Sequence, residues 1–405
     1  MKKSRFGYVV LLLGAMLVAC SNDQTSDVKF KVGVIADRTG FMSGHGQSTE
    51  MGAKLAADTL NRNGGILGTQ IELIVLDGQS NPAVTANRAR ELLQQHKVSL
   101  LLGTGTSAAT LAAIGPATES KIPFIYSLDG EIKTCAPGSD GKRLNPYVFA
   151  SGFSERMAVG PLLNFLVSKV DKPTFETSIY FVGGDYVYPR TTNRYAINVA
   201  KSLGMRVVGE EYSDTATADY SPVIRKIQEA KPDILIMTNP GASGVTFMRQ
   251  AKQFALDQQM LISGFATFDQ EAIDAMGDLS DGVYVINRYS NQLVNAKNND
   301  FVSAFRSQYS DEDLLPGPTA AAGAYGALIT AAEAAKYSHD VSAAGVLSGL
   351  SGLDVDLPQG KISVSRSNHM FNQKLYIMEI ANKSYKIVET TDQLQHPDFD
   401  GCSVR

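Results

Sequence analysis

Residues 28–65 read VKFKVGVIADRTGFMSGHGQSTEMGAKLAADTLNRNGG, and the order of strand and helix in this stretch indicates the architecture. Residues 28–36 alternate and then form a continuous apolar run, which is typical of a strand buried on both faces of a parallel sheet. Residues 51–63 carry apolar side chains at helical spacing, and Gly64 and Gly65 end this helix in a turn. Strand, loop, helix and turn together form one unit of a doubly wound α/β fold.

The same unit repeats along most of the chain. Further strands are predicted at 70–76, 99–102, 123–127, 178–183, 205–212, 234–238, 260–263, 282–287, 361–364 and 374–388. Helices are predicted at 83–95, 157–170, 193–203, 221–230, 244–254, 300–308 and 320–337. The segment 134–145, rich in Gly, Pro, Lys and Asp, separates two series of these units.

Two series of units in a chain of 405 residues predict two lobes, each with its own core. We expect 28–150 and 287–356 to form the first lobe, and 151–286 and 357–405 to form the second. The predicted fold is therefore a pair of doubly wound parallel-sheet lobes joined by a hinge. Ligands of such sheets bind outside the carboxyl ends of the strands, so the expected site is a cleft between the lobes.

The composition excludes several classes of partner. The 37 Lys and Arg residues nearly balance 41 Asp and Glu residues without long runs of one sign, which gives a net charge of -4 and no surface suited to nucleic acid. Five His and three Cys residues show no CxxC or HxxxH spacing. We therefore expect no metal site, no iron-sulfur cluster and no other cofactor.

The first residues indicate export. Basic residues are followed by an apolar run at 6–18, which is shorter than the roughly 20 residues that a membrane-spanning helix needs. Residues 17–20, LVAC, match the lipobox of bacterial lipoproteins, so we expect a signal peptide at 1–19, a lipid on Cys20 and a tether at 20–27. The alternative is an ordinary signal peptide with an incidental cysteine.

Two cysteines remain beyond the lipobox. Export would place Cys135 and Cys402 in an oxidising compartment, where unpaired thiols tend not to persist. We expect these two residues to form a disulfide. Two free or buried cysteines are the alternative, because separation along the chain says nothing about distance in space.

Residues 103–108, GTGTSA, follow a predicted strand and open a helix. The free backbone N–H groups of this helix end, with the hydroxyls of Thr106 and Ser107, offer donors to a carboxylate or carbonyl oxygen of a small ligand. Either hydroxyl could instead only cap the helix. With Asp129 the glycines also approximate a dinucleotide fingerprint, but the third glycine position is occupied by Ala108.

Aromatic side chains mark the other wall of the predicted cleft. Tyr186 and Tyr188 lie in GGDYVYPRTTN, residues 183–193, which follows a strand and is predicted as a loop. A tyrosine can cover an apolar group while its hydroxyl bonds a polar one. Tyr186, Tyr188 and Tyr126 each have two interpretations, as a wall for the ligand or as an ordinary packing residue. His45 either lines the cleft or lies at the surface.

Longer stretches carry a family resemblance. VGVIADRTGFMSGHGQSTEMGAKLAADTLNRNGGILG at 32–68 and IELIVLDGQSNPAVTANRARELL at 71–93 resemble the opening of type I periplasmic solute-binding proteins of branched-chain amino acid and amide importers. GGDYVYPRTTN at 183–193 and LPQGKISVSRSNHM at 357–370 are more similar to the short-chain amide and urea binders of this group. The resemblance covers most of the mature chain.

The resemblance implies that Ser107 hydrogen-bonds the ligand, that Tyr126 and Tyr188 wall it, and that further residues lie near. The complete predicted ligand set is Thr106, Ser107, Tyr126, Leu128, Asp129, Tyr186, Tyr188, Thr267 and His45. Gly130 stands where leucine-type binders place a threonine that helps to hold the ligand carboxylate. The acids that could replace their ammonium-binding glutamate, or that are simply solvated, are Asp129, Glu131, Asp185 and Asp269.

The function implied is that of a lipid-anchored, monomeric binding protein, not an enzyme. It would capture an amide, a urea-like compound or an amino acid by hinge closure and deliver it to an ABC importer. A membrane-tethered sensor that signals to a partner protein is the alternative, since one cleft serves both functions. An exported enzyme is disfavoured because the sequence offers no nucleophile–base pair.

Overall fold

The computed structural model describes residues 29–127, 143–309, 317 and 320–392. Several sequence-based expectations lie outside these residues and stay predictions. They are the lipidation of Cys20, the pairing of Cys135 with Cys402, and the ligand roles of Leu128 and Asp129.

The first sheet is parallel and has five strands in the order β2-β1-β3-β4-β5. Its strands are β1 (Phe30–Ala36), β2 (Ile71–Asp77), β3 (Leu100–Gly103), β4 (Phe124–Tyr126) and β5 (Val148–Ala150). The helices between them are α1 (Ser43–Arg62), α2 (Pro82–Arg90), continued by a π-helical turn at Glu91–Gln95, and α3 (Ser107–Ser120). The central strand β3 is completely buried, as its continuous apolar sequence predicts.

The second sheet has seven strands in the order β15-β14-β10-β9-β8-β6-β7. Five are parallel: β6 (Ser178–Gly184), β7 (Arg206–Ser213), β8 (Ile234–Thr238), β9 (Leu261–Gly264) and β10 (Tyr284–Asn287). Two later strands, β14 (Tyr376–Ala381) and β15 (Ser384–Thr390), extend the sheet antiparallel. The helices of this half are α4 (Glu155–Lys169), α5 (Val187–Ser202), α6 (Ser221–Ala230), α7 (Ala242–Gln253) and α8 (Gln270–Met276).

The segment between β10 and β14 returns to the first sheet. It contains α9 (Ala296–Tyr309), α10 (Ala321–Ser338), α11 (Ala343–Leu350) and a small antiparallel sheet of β11 (Asp354–Leu357), β12 (Gly360–Val364) and β13 (Phe371–Asn372). Ile362 and Phe371 share one apolar core with Val32 and Leu102. The expected second lobe began at 357, but the small sheet packs with the first lobe, and only β14 and β15 join the second sheet.

None of the helices within the described residues combines the length and the apolar character needed to cross a bilayer.

Within the described residues, three chain segments connect the lobes, and buried side chains link these segments to one another. Arg288 follows β10, is 1% exposed, and donates to the carbonyl of Ser151 at 3.0 Å and to that of Ser127 at 2.7 Å. Gln373, between β13 and β14, donates to the carbonyls of Ser151 and Gly152, both at 3.1 Å. The three crossing segments therefore form one hydrogen-bonded hinge.

Helix α5 begins earlier than the sequence pattern predicts. The stretch 183–193 is predicted as a loop, but the helix starts at Val187 and contains Pro189 in its first turn. The first N–H groups of a helix have no partner within the helix, so proline costs little there. This places Tyr186 directly before the helix and Tyr188 inside its first turn.

Candidate functional site

A cavity lies between the lobes, next to the carboxyl ends of both sets of parallel strands. From the first lobe it is lined by Met42, His45, Gly105 and Thr106, and from the second by Tyr186, Tyr188, Pro240, Ala266 and Asp269. The space not filled by atoms is about 330 Å³, its open mouth included. Largely apolar walls with a few polar groups are typical of a site for a small molecule.

The first-lobe wall is the N-terminus of α3. Thr106 is its cap, since its Oγ1 accepts a hydrogen bond from the Ala109 N–H at 3.1 Å, and the same residue lines the cavity. Ser107 is 5% exposed and is not among the lining residues. A Cβ on Gly105 would lie 2.5 Å from Oδ2 of Asp37, so a larger residue at this part of the wall would have to displace the buried Asp37 carboxylate.

Two tyrosines form the second-lobe wall, as the sequence predicts. The Tyr186 ring meets Phe41 of the first lobe edge-on, with centroids 5.6 Å apart. The Tyr188 hydroxyl donates to the Phe265 carbonyl at 3.0 Å, which fixes the orientation of its ring. Burial raises the pKa of Tyr186, so its hydroxyl keeps its proton at neutral pH and can donate a hydrogen bond.

Two residues of the predicted ligand set lie behind the cavity wall. Tyr126 is 0% exposed and packs in the core with Phe124, at 6.1 Å between ring centroids. Thr267 accepts from the Asn239 N–H and donates to the Met237 carbonyl, both at 3.0 Å, and so joins the ends of β8 and β9. Of the predicted set, the cavity brings together His45, Thr106, Tyr186 and Tyr188.

A charged cluster joins the lobes beside the cavity. Nδ1 of His45, on α1, is 3.7 Å from Oδ2 of Asp269 and 3.5 Å from Oε1 of Glu271. Burial alone lowers the pKa of His45, but the two carboxylates outweigh it and raise that pKa to about 10. Asp269 caps α8 through the Gln270 N–H at 3.0 Å, and it also accepts from the Ala320 N–H of the first lobe at 3.2 Å.

Two further carboxyls in and near this cluster are affected by burial. Burial, and then the charge of Asp269, raise the pKa of Glu271, although its imidazole neighbour acts in the opposite direction. Asp37, at the end of β1, is completely buried, and burial also raises the pKa of its carboxyl. The positive charge of His45 lies close enough to oppose that shift.

The lobes also approach each other through their backbones. Gly241, the residue before α7, has φ 69° and ψ -149°, a conformation that is essentially restricted to glycine. A Cβ at this position would lie 2.5 Å from the carbonyl oxygen of Phe41 in the first lobe. Together with the contact between Phe41 and Tyr186, this shows that the two lobes meet at the rim of the cavity.

Several cavity residues are absent from the predicted set. Asp269 lies five residues beyond the end of β9, and the sequence indicates it only as a possible substitute for an ammonium-binding acid. Glu271 belongs to the charged cluster beside the cavity and lies on α8, a helix that the sequence pattern does not predict, so no periodicity indicates which way its side chain faces. Met42 and Pro240 are loop residues with no local pattern, although both follow the ends of strands.

The sequence is similar to those of known proteins. Residues 29–385 match a family model described as periplasmic binding protein. The Leu/Ile/Val-binding protein homolog 7 of Brucella suis is 23% identical over 312 residues, which are 75% of this chain and 76% of that protein.

Two solved structures share the fold. A solute-binding protein of an ABC transporter from Rhodopseudomonas palustris, in complex with 3,4-dihydroxybenzoic acid, aligns with a TM-score of 0.80 and 24% identity over 91% of this chain and 99% of that one. A branched-chain amino acid transporter substrate-binding protein from Streptococcus pneumoniae, in complex with isoleucine, aligns with a TM-score of 0.75 and 24% identity over 90% and 99%.

Proposed function

The chain belongs to the periplasmic binding protein family, and on this premise we propose that it captures one small solute between its lobes for delivery to an ABC importer. The observation that carries the proposal is the cavity whose walls come from both lobes. A solute that contacts both walls binds the closed form better than any open form, and this difference in affinity drives closure about the hinge.

The cavity lining supports a solute with an apolar body and one polar head. Met42, Tyr186 and Ala266 offer apolar contact, while Thr106 and Asp269 offer polar groups. Hydrophobic amino acids and short-chain amides combine an apolar part with a polar head, and the resemblance of the stretches at 183–193 and 357–370 to amide and urea binders favours the amides and adds urea as a candidate. The isoleucine and dihydroxybenzoic acid found in the solved structures define the wider range to be tested.

The proposal also covers the location of the protein and its oligomeric state. It would be exported, held at the membrane by a lipid on Cys20, and act as a monomer that releases its solute unchanged. Metabolic labelling with palmitate tests the anchor. Label on the wild-type chain and none on the Cys20→Ser variant is the expected result, and equal label on both would exclude a lipid on Cys20.

A thermal-shift screen tests the solute-binding function. The chain from residue 21 onward contains every described element, and it is screened in EDTA against leucine, isoleucine, acetamide, urea and 3,4-dihydroxybenzoate. A ligand at 100 times its dissociation constant stabilises the folded state by about 2.7 kcal/mol, which gives a measurable rise in Tm. We expect Tm to rise with acetamide or urea, or with an amino acid that binds in the same cavity.

A matched pair of tyrosine variants identifies where the solute binds. Tyr186→Ala removes a cavity wall and is expected to abolish the rise in Tm. Tyr337→Ala removes a tyrosine that is 71% exposed and does not line the cavity, and this variant is expected to keep the rise in Tm. A rise that persists in Tyr186→Ala, or a panel without any effect, would count against the proposed function.

A further inference from the structure

We propose that His45, Asp269 and Glu271 form a binding site for a divalent transition-metal cation of the zinc class at the seam between the lobes. One ligand atom from each side chain lies within 4.8 Å of the other two. His45 belongs to the first lobe, and both acids belong to the second. The cation would therefore hold the lobes together, and its remaining coordination position would face the cavity that His45 and Asp269 line.

The distances suit metal ligands better than an ion pair. A charge-assisted N–H···O bond between an imidazolium and a carboxylate is about 2.7–2.9 Å long. The His45 Nδ1 atom is instead 3.5 Å from Glu271 and 3.7 Å from Asp269. Ligand atoms bonded at about 2.1 Å around a tetrahedral zinc ion lie about 3.4 Å apart. The two distances from Nδ1 are thus close to the separation of ligand atoms around a bound zinc ion, and the ligand atoms of all three side chains lie within 4.8 Å of one another.

The burial of the cluster is a second, independent observation. His45 is 5% exposed and lines the cavity, and its Nε2 atom has no hydrogen-bond partner. Oε2 of Glu271 is also buried without a partner. Buried polar atoms are nearly always satisfied, so the unpaired Oε2 of Glu271 indicates a missing ligand in the cluster, whereas Nε2 of His45 lies on the opposite side of the ring from the Nδ1 atom that faces the two acids.

The donor set selects the kind of cation. One imidazole nitrogen and two carboxylate oxygens suit zinc and its transition-metal neighbours, whereas calcium and magnesium prefer oxygen donors only. Two carboxylates balance the double positive charge when the imidazole is neutral.

The sequence predicts no metal site because its histidines and cysteines show no short metal-ligand spacing. The structure assembles this cluster from α1 and from the start of α8, which are distant in the sequence and belong to different lobes. The site forms only where the lobes meet, so the spacing of potential metal ligands along the sequence does not reveal it.

A titration with Zn²⁺ alone tests the proposal without any organic solute. The chain from residue 21 onward is stripped with EDTA, its thiols are blocked, and Zn²⁺ binding is followed by calorimetry and by the rise in Tm. We expect one Zn²⁺ per chain, and Co²⁺ is expected to give the visible absorption of a four-coordinate site. His45→Gln and Asp269→Asn are each expected to weaken Zn²⁺ binding by at least about tenfold.

His96→Gln is the matched control, because the exposed His96 lies 3.9 Å from Glu91 in a similar pair on the surface. It is expected to bind Zn²⁺ like the wild type. Folding of each variant is checked by circular dichroism. If one of the cluster variants fails to fold, Glu271→Gln, which keeps the shape of the third ligand, replaces it in the test. No bound Zn²⁺, or binding that the cluster variants leave unchanged, would overturn the proposal, while the screen in EDTA would still test solute binding separately.

Discussion

Arg288 shows how one residue sets the relation between the lobes. Its guanidinium is buried and bonds the carbonyls of Ser127 and Ser151, which lie at the end of the first sheet and at the first crossing. The planar fork of an arginine can serve two acceptors at once, and a lysine ammonium offers no such geometry. Without it, the Ser127 carbonyl loses this buried donor, while the Ser151 carbonyl keeps the hydrogen bond from Gln373; an unsatisfied buried carbonyl costs about 1–3 kcal/mol.

We therefore expect Arg288→Met to reduce the free energy of unfolding by about 1–3 kcal/mol, measured by urea denaturation. Arg288→Lys is expected to recover only part of this loss. Arg225→Met, which changes an exposed arginine on α6, should stay within about 0.5 kcal/mol of the wild type. Equal losses for the Arg288 and Arg225 variants would show that the hinge does not depend on these hydrogen bonds.

At the scale of elements, the start of α3 combines a structural and a binding role. Thr106 caps this helix and also lines the cavity. Thr106→Ala is expected to cost about 1 kcal/mol of stability through the lost cap, and to weaken solute binding as well. Thr106→Ser keeps the capping oxygen and is expected to retain both properties.

A second capped helix separates these two effects. Ser342 caps α11, where its Oγ accepts from the Gly345 N–H at 3.2 Å, and this helix packs in the core of the first lobe. Ser342→Ala is expected to cost a similar 1 kcal/mol, with unchanged solute affinity in calorimetry. If both alanine variants bind the solute equally well, Thr106 has no role in the site beyond capping.

The elements that the sequence predicts are those with strong periodicity. The parallel strands of both lobes are buried apolar runs, so their positions are found to within a few residues. Helix α8 escapes prediction because it has only 7 residues, and strand β11 because two of its four residues are aspartates and it forms no apolar run. The early start of α5 is missed because Pro189 normally argues against a helix, although a first-turn proline is tolerated.

The positions of the candidate site residues are predictable from the sequence, but the orientations of their side chains are not. Thr106 and Tyr186 lie just beyond strand ends, where the fold places ligands, and sequence reasoning locates them. It also selects Tyr126 and Thr267, whose strand-end positions are right but whose side chains turn into the interior. Whether a side chain at a strand end faces the cavity or the interior depends on how distant parts of the chain pack against it. Local sequence patterns do not contain this information.

At the scale of the whole molecule, function depends on how closely the two lobes approach. Gly241 and Gly277 both belong to the second lobe and have similar backbone angles, φ 69° and ψ -149° against φ 59° and ψ -136°. An added Cβ at Gly277 would meet only the flexible Lys383 side chain, at 3.8 Å. At Gly241 it would meet the Phe41 carbonyl of the first lobe at 2.5 Å.

The two alanine variants thus carry comparable backbone strain, but only Gly241→Ala obstructs the approach of the lobes. The decisive measurement is calorimetric titration of the wild type, Gly241→Ala and Gly277→Ala with the solute that gives the largest rise in Tm. Capture by closure predicts one solute per chain in the wild type, nearly the same affinity in Gly277→Ala, and a loss of at least about tenfold, or 1.4 kcal/mol, in Gly241→Ala. Equal affinity of the two variants would contradict capture between closing lobes.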